Sequence, residues 1–142
     1  MGVVKDVCTH LMWQQDDSAT PLDWQQAGLY CNDLTLAGKS DWRLPTINEL
    51  TTIIDYSTDN PDNYHFFHFT APTSTFPFSR VEWTSTEDFR TRNVQTNPVT
   101  FNRAWEVNFE TSLNGGGFKT QQFNARCVRT ALDSDNLRSD SD

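Results

Sequence analysis

The chain has 142 residues, the size of one ordinary domain that can bury a core without metal ions. Hydrophobic residues make up 36% and charged residues 21%, and no stretch approaches the roughly 20 apolar residues that a membrane span needs. The 18 aromatic residues (10 Phe, 5 Trp and 3 Tyr) exclude a largely disordered chain, and the net charge of -8 disfavours nucleic acid as a partner.

The end of the chain, residues 132–142, carries four aspartates and one arginine between serines and is predicted to be a disordered acidic tail. The predicted folded domain is therefore residues 1–131. Removing one of 11 basic and four of 19 acidic side chains leaves 10 and 15, so a local basic patch remains compatible with the composition. The first ten residues lack the pattern of a secretory signal, which indicates either an intracellular protein or a piece of a longer one.

A first helix is predicted from Thr20-Pro21-Leu22-Asp23, which offers a capping hydroxyl, a proline at the first helical position and an acid in the first turn. Gly38 stands where a left-handed C-terminal cap is expected. The apolar stripe of this helix has three- and four-residue spacing and consists of Trp24, Ala27, Cys31 and Leu34.

A second helix is predicted to begin at the capping box of Thr46 and Glu49 and to extend to about Asp55. Its apolar stripe consists of Ile47, Leu50, Ile53 and Ile54. The first half of the chain is therefore predicted to be two short helices.

The second half is predicted to contain strands and long loops. Residues 82–86, with Trp83 inward, and the alternating residues 105–109 are typical of strands, and residues 118–123 and 125–130 indicate further strand segments. The run Gly115-Gly116-Gly117 is interpreted as a turn. Residues 56–80 and 87–102 are long connections of the kind that are usually functional or mobile.

Three motifs together resemble the Lcl C-terminal domain family of bacterial, mostly exported, domains. They are Leu11-Met12-Trp13-Gln14, the segment Ser40-Asp41-Trp42-Arg43-Leu44-Pro45-Thr46 that leads into the capped helix, and the late Arg126-Cys127-Val128-Arg129. The resemblance covers about residues 6–130. It implies an α+β, C-type-lectin-like fold in which two N-terminal helices pack on small antiparallel sheets with long loops.

The resemblance also predicts how the cysteines pair. Cys31 and Cys127 occupy the two family cysteine positions, so the resemblance implies a disulfide between them, with two buried free thiols as the alternative. Cys8 is then left as a free thiol or an intermolecular link. In the family a glycine usually follows the threonine at this point, whereas here His10 follows Thr9, so a tight turn is expected to be altered.

The aromatic segment Tyr64-His65-Phe66-Phe67-His68-Phe69 has two readings. Exposed rings, with Tyr64, His65 and Phe67 as ligand-binding candidates, would stack on sugars or anchor a partner chain. Alternatively, the rings fold inward as a small core under the loop. His65 and His68 could also share a metal ion, although no third ligand is evident.

A second set of candidates is charged or polar. Arg90, Arg92 and Arg103, together with Arg80, could bind sulfate or carboxylate groups through bidentate contacts, or could be scattered solvated charges. The strand pair Glu106 and Asn108 offers further ligand contacts. Calcium is a weaker hypothesis, because the available oxygens are also ordinary turn formers; they belong to Asp55, Asp59, Asn60, Asp62, Asn63, Glu106 and Asn108.

The resemblance also implies a function, because the family includes the trimeric tip of a collagen-like adhesin that binds sulfated glycosaminoglycans. We therefore expect a non-enzymatic adhesion module, exposed at the cell surface or secreted as part of a longer protein, that recognises glycans or a surface receptor through its C-terminal-half loops. One alternative is a structural or phage-type module that binds another protein chain. Another is an oxidase similar to the formylglycine-generating enzymes, with Cys8 as the spare thiol.

Overall fold

The computed structural model describes residues 2–93 and 100–132 and shows a small α+β fold. Its helices are α1 (Trp24–Asn32) and α2 (Ile47–Thr51), with 3-10 turns at Pro61–Asn63 and Phe89–Thr91. Its strands are β1 (Val3–Asp6), β2 (Leu11–Gln14), β3 (Val81–Glu87), β4 (Arg92–Asn93), β5 (Thr100–Phe101), β6 (Arg103–Asn108), β7 (Leu113–Phe118) and β8 (Val128–Thr130).

The strands form two three-stranded antiparallel sheets and one two-stranded pair. The first sheet has the order β1-β2-β8, so it joins the two ends of the described chain, and the second has the order β3-β6-β7. The pair is β4-β5. Helix α2 packs against β3 and β6, and α1 packs against β3.

The prediction that helices come first is wrong, because β1 and β2 precede them. All four residues of β2 are buried, so the strand lacks the alternation of a half-exposed one and its sequence carried no period-two signal. The turn between β1 and β2 places His10 at φ 59, in the left-handed region that glycine occupies most easily.

Helix α1 begins three residues later than predicted. Its N-cap is Asp23, whose carboxylate accepts a hydrogen bond from the Gln26 backbone N–H while the Gln26 side chain accepts one from the Asp23 N–H. This reciprocal cap replaces the predicted start at Thr20, because Leu22 is extended and pairs with Phe123. Gly38 does have a positive φ of 74, but it lies in the turn before Lys39 and not at the helix end.

The capping box at the second helix is confirmed. The Thr46 hydroxyl accepts from the Glu49 N–H, and the Glu49 carboxylate accepts from the Thr46 N–H. The helix ends at Thr51, four residues short of the expected Asp55.

The interpretation of Gly115–Gly117 as a turn is wrong, because all three lie inside β7 and pair with β6. The turn between the two strands falls at residues 109–112 instead. Of the segments predicted after the glycines, residues 128–130 form β8 and Phe118 ends β7, while Phe123 and Asn124 make isolated bridges. The strand predicted at residues 82–86 is confirmed, with Trp83 fully buried.

Two hydrophobic clusters fill the interior. The first surrounds Trp83 and includes the Cys31–Cys127 disulfide, whose Cα atoms lie 5.4 Å apart. The second lies under α2 and contains Trp13 and Phe109. The predicted disulfide is therefore present, and it ties α1 to the end of the chain near β8.

Within the part of the chain that is described, no helix is both long and apolar enough to cross a bilayer. The predicted acidic tail lies outside the described residues from position 133 onward.

Candidate functional site

The candidate site is one face of the second sheet, where two arginines lie on two aromatic rings. Arg90 lies over Trp105, with 4.6 Å between the guanidinium carbon and the ring centroid. Arg103 lies over Phe118 at 4.0 Å, and these two residues are direct partners in the β6-β7 pairing. We call Arg90, Arg103, Trp105 and Phe118 the arginine–aromatic surface.

A carboxylate holds the first arginine in place. The Asp88 oxygens accept hydrogen bonds from Nε and Nη2 of Arg90, both at 2.9 Å. The Asp88 side chain is 1% exposed, whereas that of Arg90 is 69% exposed. The hydrogen-bonded Arg90 guanidinium lowers the pKa of Asp88, so the carboxylate stays charged. The charged carboxylate holds the Arg90 guanidinium in a fixed position facing solvent.

The glycine strand explains how Asp88 fits below this surface. Gly116 pairs with Trp105, and a Cβ atom at Gly116 would collide with Oδ2 of Asp88. A side chain here would displace the carboxylate that orients Arg90. Glycine is therefore required at this strand position by close approach and not by a turn.

Further aromatic and charged contacts involve residues that are close to the surface in sequence. Phe89 is 66% exposed and makes an edge contact with Phe101 at 4.8 Å. Lys119 binds Glu87 at 2.7 Å and lies over Trp24. Together these groups offer planar guanidinium donors and aromatic faces, the combination that binds sulfate or carboxylate groups on a flat ligand.

The structure thus brings together two of the predicted arginines. The side chain of Arg92 lies outside the described residues, although its backbone is in β4. Arg80 does not belong to the surface, because it is 7% exposed and binds Asp62 at 2.7 Å and Glu110 at 3.5 Å.

The aromatic segment of residues 64–69 is divided between core and surface. Tyr64 and Phe67 are 7% and 9% exposed and pack in the second cluster, while His65 and Phe66 are exposed. All four line a groove of about 700 Å³ beside β1. We call it the β1 groove; its further lining residues are Val3, Val4, Lys5, Asp6, Val7, Trp13, Gln15, Thr52, Ile53, Ile54 and Asp55.

The oxygens considered for calcium are mostly engaged in local contacts. Asp55 accepts hydrogen bonds from Ser57, Asn60 caps the 3-10 turn, and Asp62 pairs with Arg80. Among residues 2–93 and 100–132, no group of three or more His, Cys, Asp or Glu side chains could hold a metal ion. His68 binds Asp16 at 2.8 Å.

Glu106 and Asn108, the two ligand-binding candidates on β6, face away from the arginine–aromatic surface. Asn108 accepts a hydrogen bond from the Glu110 N–H through its side-chain oxygen. Burial raises the pKa of Glu106.

Sequence reasoning did not select Trp105 or Phe118 as site residues. The alternation of residues 105–109 indicated a half-buried strand, and Trp105 is partly buried in the structure with Arg90 over its ring. Arginines close in sequence to strand aromatics could have indicated these contacts, but only the strand register shows which arginine meets which ring.

A search of curated proteins found no match to this chain. The model of the Lcl C-terminal domain family matches residues 2–129, nearly the whole described chain. The chain therefore belongs to the Lcl C-terminal domain family.

Proposed function

We propose that the chain is a non-enzymatic adhesion module with a C-type-lectin-like fold that recognises sulfated glycans through the arginine–aromatic surface. The observation that carries the proposal is the pair of guanidinium groups that lie over the rings of Trp105 and Phe118 on one face of the second sheet. Guanidinium groups bind sulfate through paired N–H donors, and aromatic rings pack against sugar faces.

The surface is locally suited to an anion despite the acidic chain. Asp88 and Glu87 are each bound to a cation, so their charge is largely offset. Among the described residues, Arg103 forms no salt bridge within 4 Å; it attracts the Asp88 carboxylate, whose hydrogen bonds go to Arg90, so the Arg103 guanidinium keeps N–H donors for a ligand. Because such contacts are electrostatic and exposed, we expect binding to weaken as salt rises.

The disulfide supports a location outside the reducing cytosol, at the cell surface or in a secreted protein. A shallow surface of this kind binds weakly as a single copy. We propose that it acts as an oligomer, such as a trimer, in which linked copies raise the effective ligand concentration.

The test compares binding of the chain to immobilised heparin and to a matched desulfated polymer. Arg103→Gln removes a cation that has no ion-pair partner in the described chain, so the fold should be retained while heparin elution shifts to lower salt. Lys5→Gln is the control, because it removes one positive charge in β1, away from the surface. Equal retention of all three proteins, or equal binding to the desulfated polymer, would count against the proposal.

Calcium dependence is tested in the same assay. Repeating the column in EDTA would abolish retention if calcium bridges ligand and protein, and would leave it unchanged if the arginines alone bind sulfate.

A second candidate function, attachment to another protein chain, is favoured by the β1 groove. Phe66 is 66% exposed at its rim, where an anchoring ring is expected. Phe66→Ala would then prevent assembly with that chain and leave heparin binding intact. The oxidase alternative would need the exposed thiol of Cys8, since Cys31 and Cys127 are bonded to each other.

A further inference from the structure

Strand β1 is one edge of the first sheet, and its outer side is unpaired. In an antiparallel pair, the backbone groups of alternate residues point toward the partner strand. Gly2 accepts a hydrogen bond from the Gln15 N–H, so Gly2 and Val4 face β2, whereas Val3 and Lys5 face outward. Among residues 2–93 and 100–132, no backbone group bonds to these two residues from the outer side.

The β1 groove lies against this open edge. Residues 3–7 line it without interruption, and the other walls consist of residues 13, 15, 52–55 and 64–67. Neighbouring side chains of a strand point to opposite faces, so a groove that meets five consecutive residues lies along the strand edge. About 700 Å³ of open space is therefore next to unpaired backbone donors and acceptors.

Apolar side chains make up most of the walls of the groove. Ile54 and Phe67 belong to the second hydrophobic cluster, and Val4 packs against it. Two carboxylates also line the groove, but local donors occupy them. Asp6 accepts two backbone N–H groups of the turn that follows β1, and Asp55 accepts a backbone N–H and a hydroxyl two residues further on. The groove is therefore suited to apolar side chains.

The indole of Trp13 is part of the groove wall and lacks an acceptor. Its side chain is fully buried, and its Nε1 has no hydrogen-bond partner among the described residues. The indole N–H groups of Trp24, Trp42 and Trp83 each donate to a backbone carbonyl. A buried indole without an acceptor is unfavourable. An occupant that carries backbone carbonyls offers the kind of acceptor that the other three indoles use.

Lys5 gives the open edge a positive charge. The side chain is exposed, lines the groove and forms no salt bridge with any residue that the structure describes. Residues that are directly opposite in an antiparallel pair share one face of the sheet, and opposite charges there are stabilising. A strand added to β1 is therefore favoured by an acidic residue opposite Lys5 and by an apolar residue opposite Val4.

A second copy of the chain does not meet this requirement through β1. Outward-facing residues of one strand pair with outward-facing residues of the other. Antiparallel self-pairing would thus place Lys5 opposite Val3 or Lys5 of the second copy. Neither side chain is a carboxylate, and two lysines repel each other.

We propose that the β1 groove binds an extended segment of another protein, which adds an antiparallel strand to β1. Its backbone bonds to the outward groups of Val3 and Lys5, its apolar side chains enter the groove, and an acidic side chain lies opposite Lys5. The inference rests on the second candidate function, attachment to another protein chain, and states the chemistry of that chain.

The experiment uses an acetylated peptide amide in which three valines alternate with two glutamates between terminal serines. The peptide is titrated into the ¹⁵N-labelled chain at pH 7. We expect saturable shifts of the amide resonances of Val3 and Lys5 and of residues along the groove. A peptide of the same composition with its three valines consecutive should bind more weakly by about tenfold or more, because it cannot place apolar and acidic side chains on opposite faces.

N-methylation of the peptide tests strand addition directly. The glutamates, which lie opposite the outward-facing residues of β1, point their N–H groups at that strand, whereas the valines between them point theirs away. N-methylation of both glutamates should weaken binding by about tenfold or more, since two hydrogen bonds are lost. N-methylation of the central valine should change the affinity by less than about threefold.

Two variants test the charge pair and separate it from sulfate binding. Lys5→Gln should weaken binding of the peptide by about threefold, and should have no effect on a peptide with glutamines in place of the glutamates. Arg103→Gln is the matched control, because it removes one positive charge from the second sheet and should bind the peptide as the parent does.

Three outcomes would overturn strand addition. They are no saturable binding of the alternating peptide, equal affinities of the two N-methylated peptides, and concentration-dependent shifts of Val3 and Lys5 without peptide, which would assign the edge to a second copy. None of them affects retention on heparin. Equal affinities of the N-methylated peptides that are both lost in Phe66→Ala would keep the groove as an attachment site and reject the added strand.

Discussion

Arg126 and Glu82 form a bidentate ion pair from which solvent is excluded. Nε and Nη2 of Arg126 donate to the two carboxylate oxygens at 3.1 and 2.9 Å, and neither side chain is exposed. The same guanidinium donates to the backbone carbonyls of Gln14, Gln15 and His68. One side chain thus joins the first sheet, the second sheet and the loop that carries the aromatic segment.

Replacing Arg126 with leucine should therefore be costly. Arg126→Leu removes both side-chain donors to the buried Glu82 carboxylate and one donor from each of three backbone carbonyls, and we expect the free energy of unfolding in urea to fall by about 3–5 kcal/mol. The matched control is Arg43→Leu, which breaks a partly exposed bidentate pair with Glu49 and should cost about 1 kcal/mol. Equal losses would show that burial of the pair does not matter.

The same pair predicts a dependence of stability on pH. Burial raises the pKa of Glu82 to about 7, against the lowering effect of Arg126 and from an ordinary value of 4.5. Between these two values the folded chain holds a proton that the unfolded chain has released. The free energy of unfolding should therefore fall as pH rises from about 5 to about 8, by an amount on the order of 3 kcal/mol.

Below about pH 4 the free energy of unfolding should change with pH in the opposite direction. The pKa of Asp88 is lowered by its hydrogen bonds with Arg90, and that of Glu49 by its hydrogen bonds with Arg43, so their stabilisation is lost as pH falls below about 4. Stability should be greatest near pH 5. Urea unfolding across this range checks it, and the decline above pH 5 should be absent in Glu82→Gln, which has no proton to release.

Alanine substitutions at two glycines should have opposite effects. Gly116→Ala brings a methyl group against Asp88 and should lower both the free energy of unfolding and the retention on heparin, because Arg90 loses its support. Gly28→Ala in α1 meets nothing within 4 Å and should stabilise the chain by about 0.5–1 kcal/mol. If Gly116→Ala were as stable as the parent, β7 would have room that the structure does not show.

The three cysteines should be chemically distinct. Alkylation of the unfolded, unreduced protein should modify one thiol, Cys8, as read by mass spectrometry. Replacing both Cys31 and Cys127 with alanine opens a loop with a sequence separation of 96 and should cost about 4 kcal/mol. Cys8→Ser, at an exposed turn, should change stability by less than about 0.5 kcal/mol.

Local features of the sequence predicted local structure well. The capping box of Thr46 and Glu49 was recognisable because both partners lie within one helical turn. The start of α1 was missed because two overlapping caps compete there, and the pairing of Leu22 with Phe123, a contact across a hundred residues, favours Asp23.

The candidate site was only partly predictable for the same reason. Arg90 and Arg103 were selected from their loop, but their stacking on Trp105 and Phe118 depends on strand register. The glycine run suggested a turn because its cause, carboxylates approaching both faces of a strand, lies far away in sequence.

The disulfide determines which part of the chain bears tension when the two ends of the first sheet are pulled apart. Tension applied along the backbone between Val3 and Thr130 passes through the bond from Cys31 to Cys127, because that bond is the shortest covalent path. The intervening chain, which contains the arginine–aromatic surface, carries none of that load. Pulling can peel β1 and β2 away while the second sheet keeps its shape.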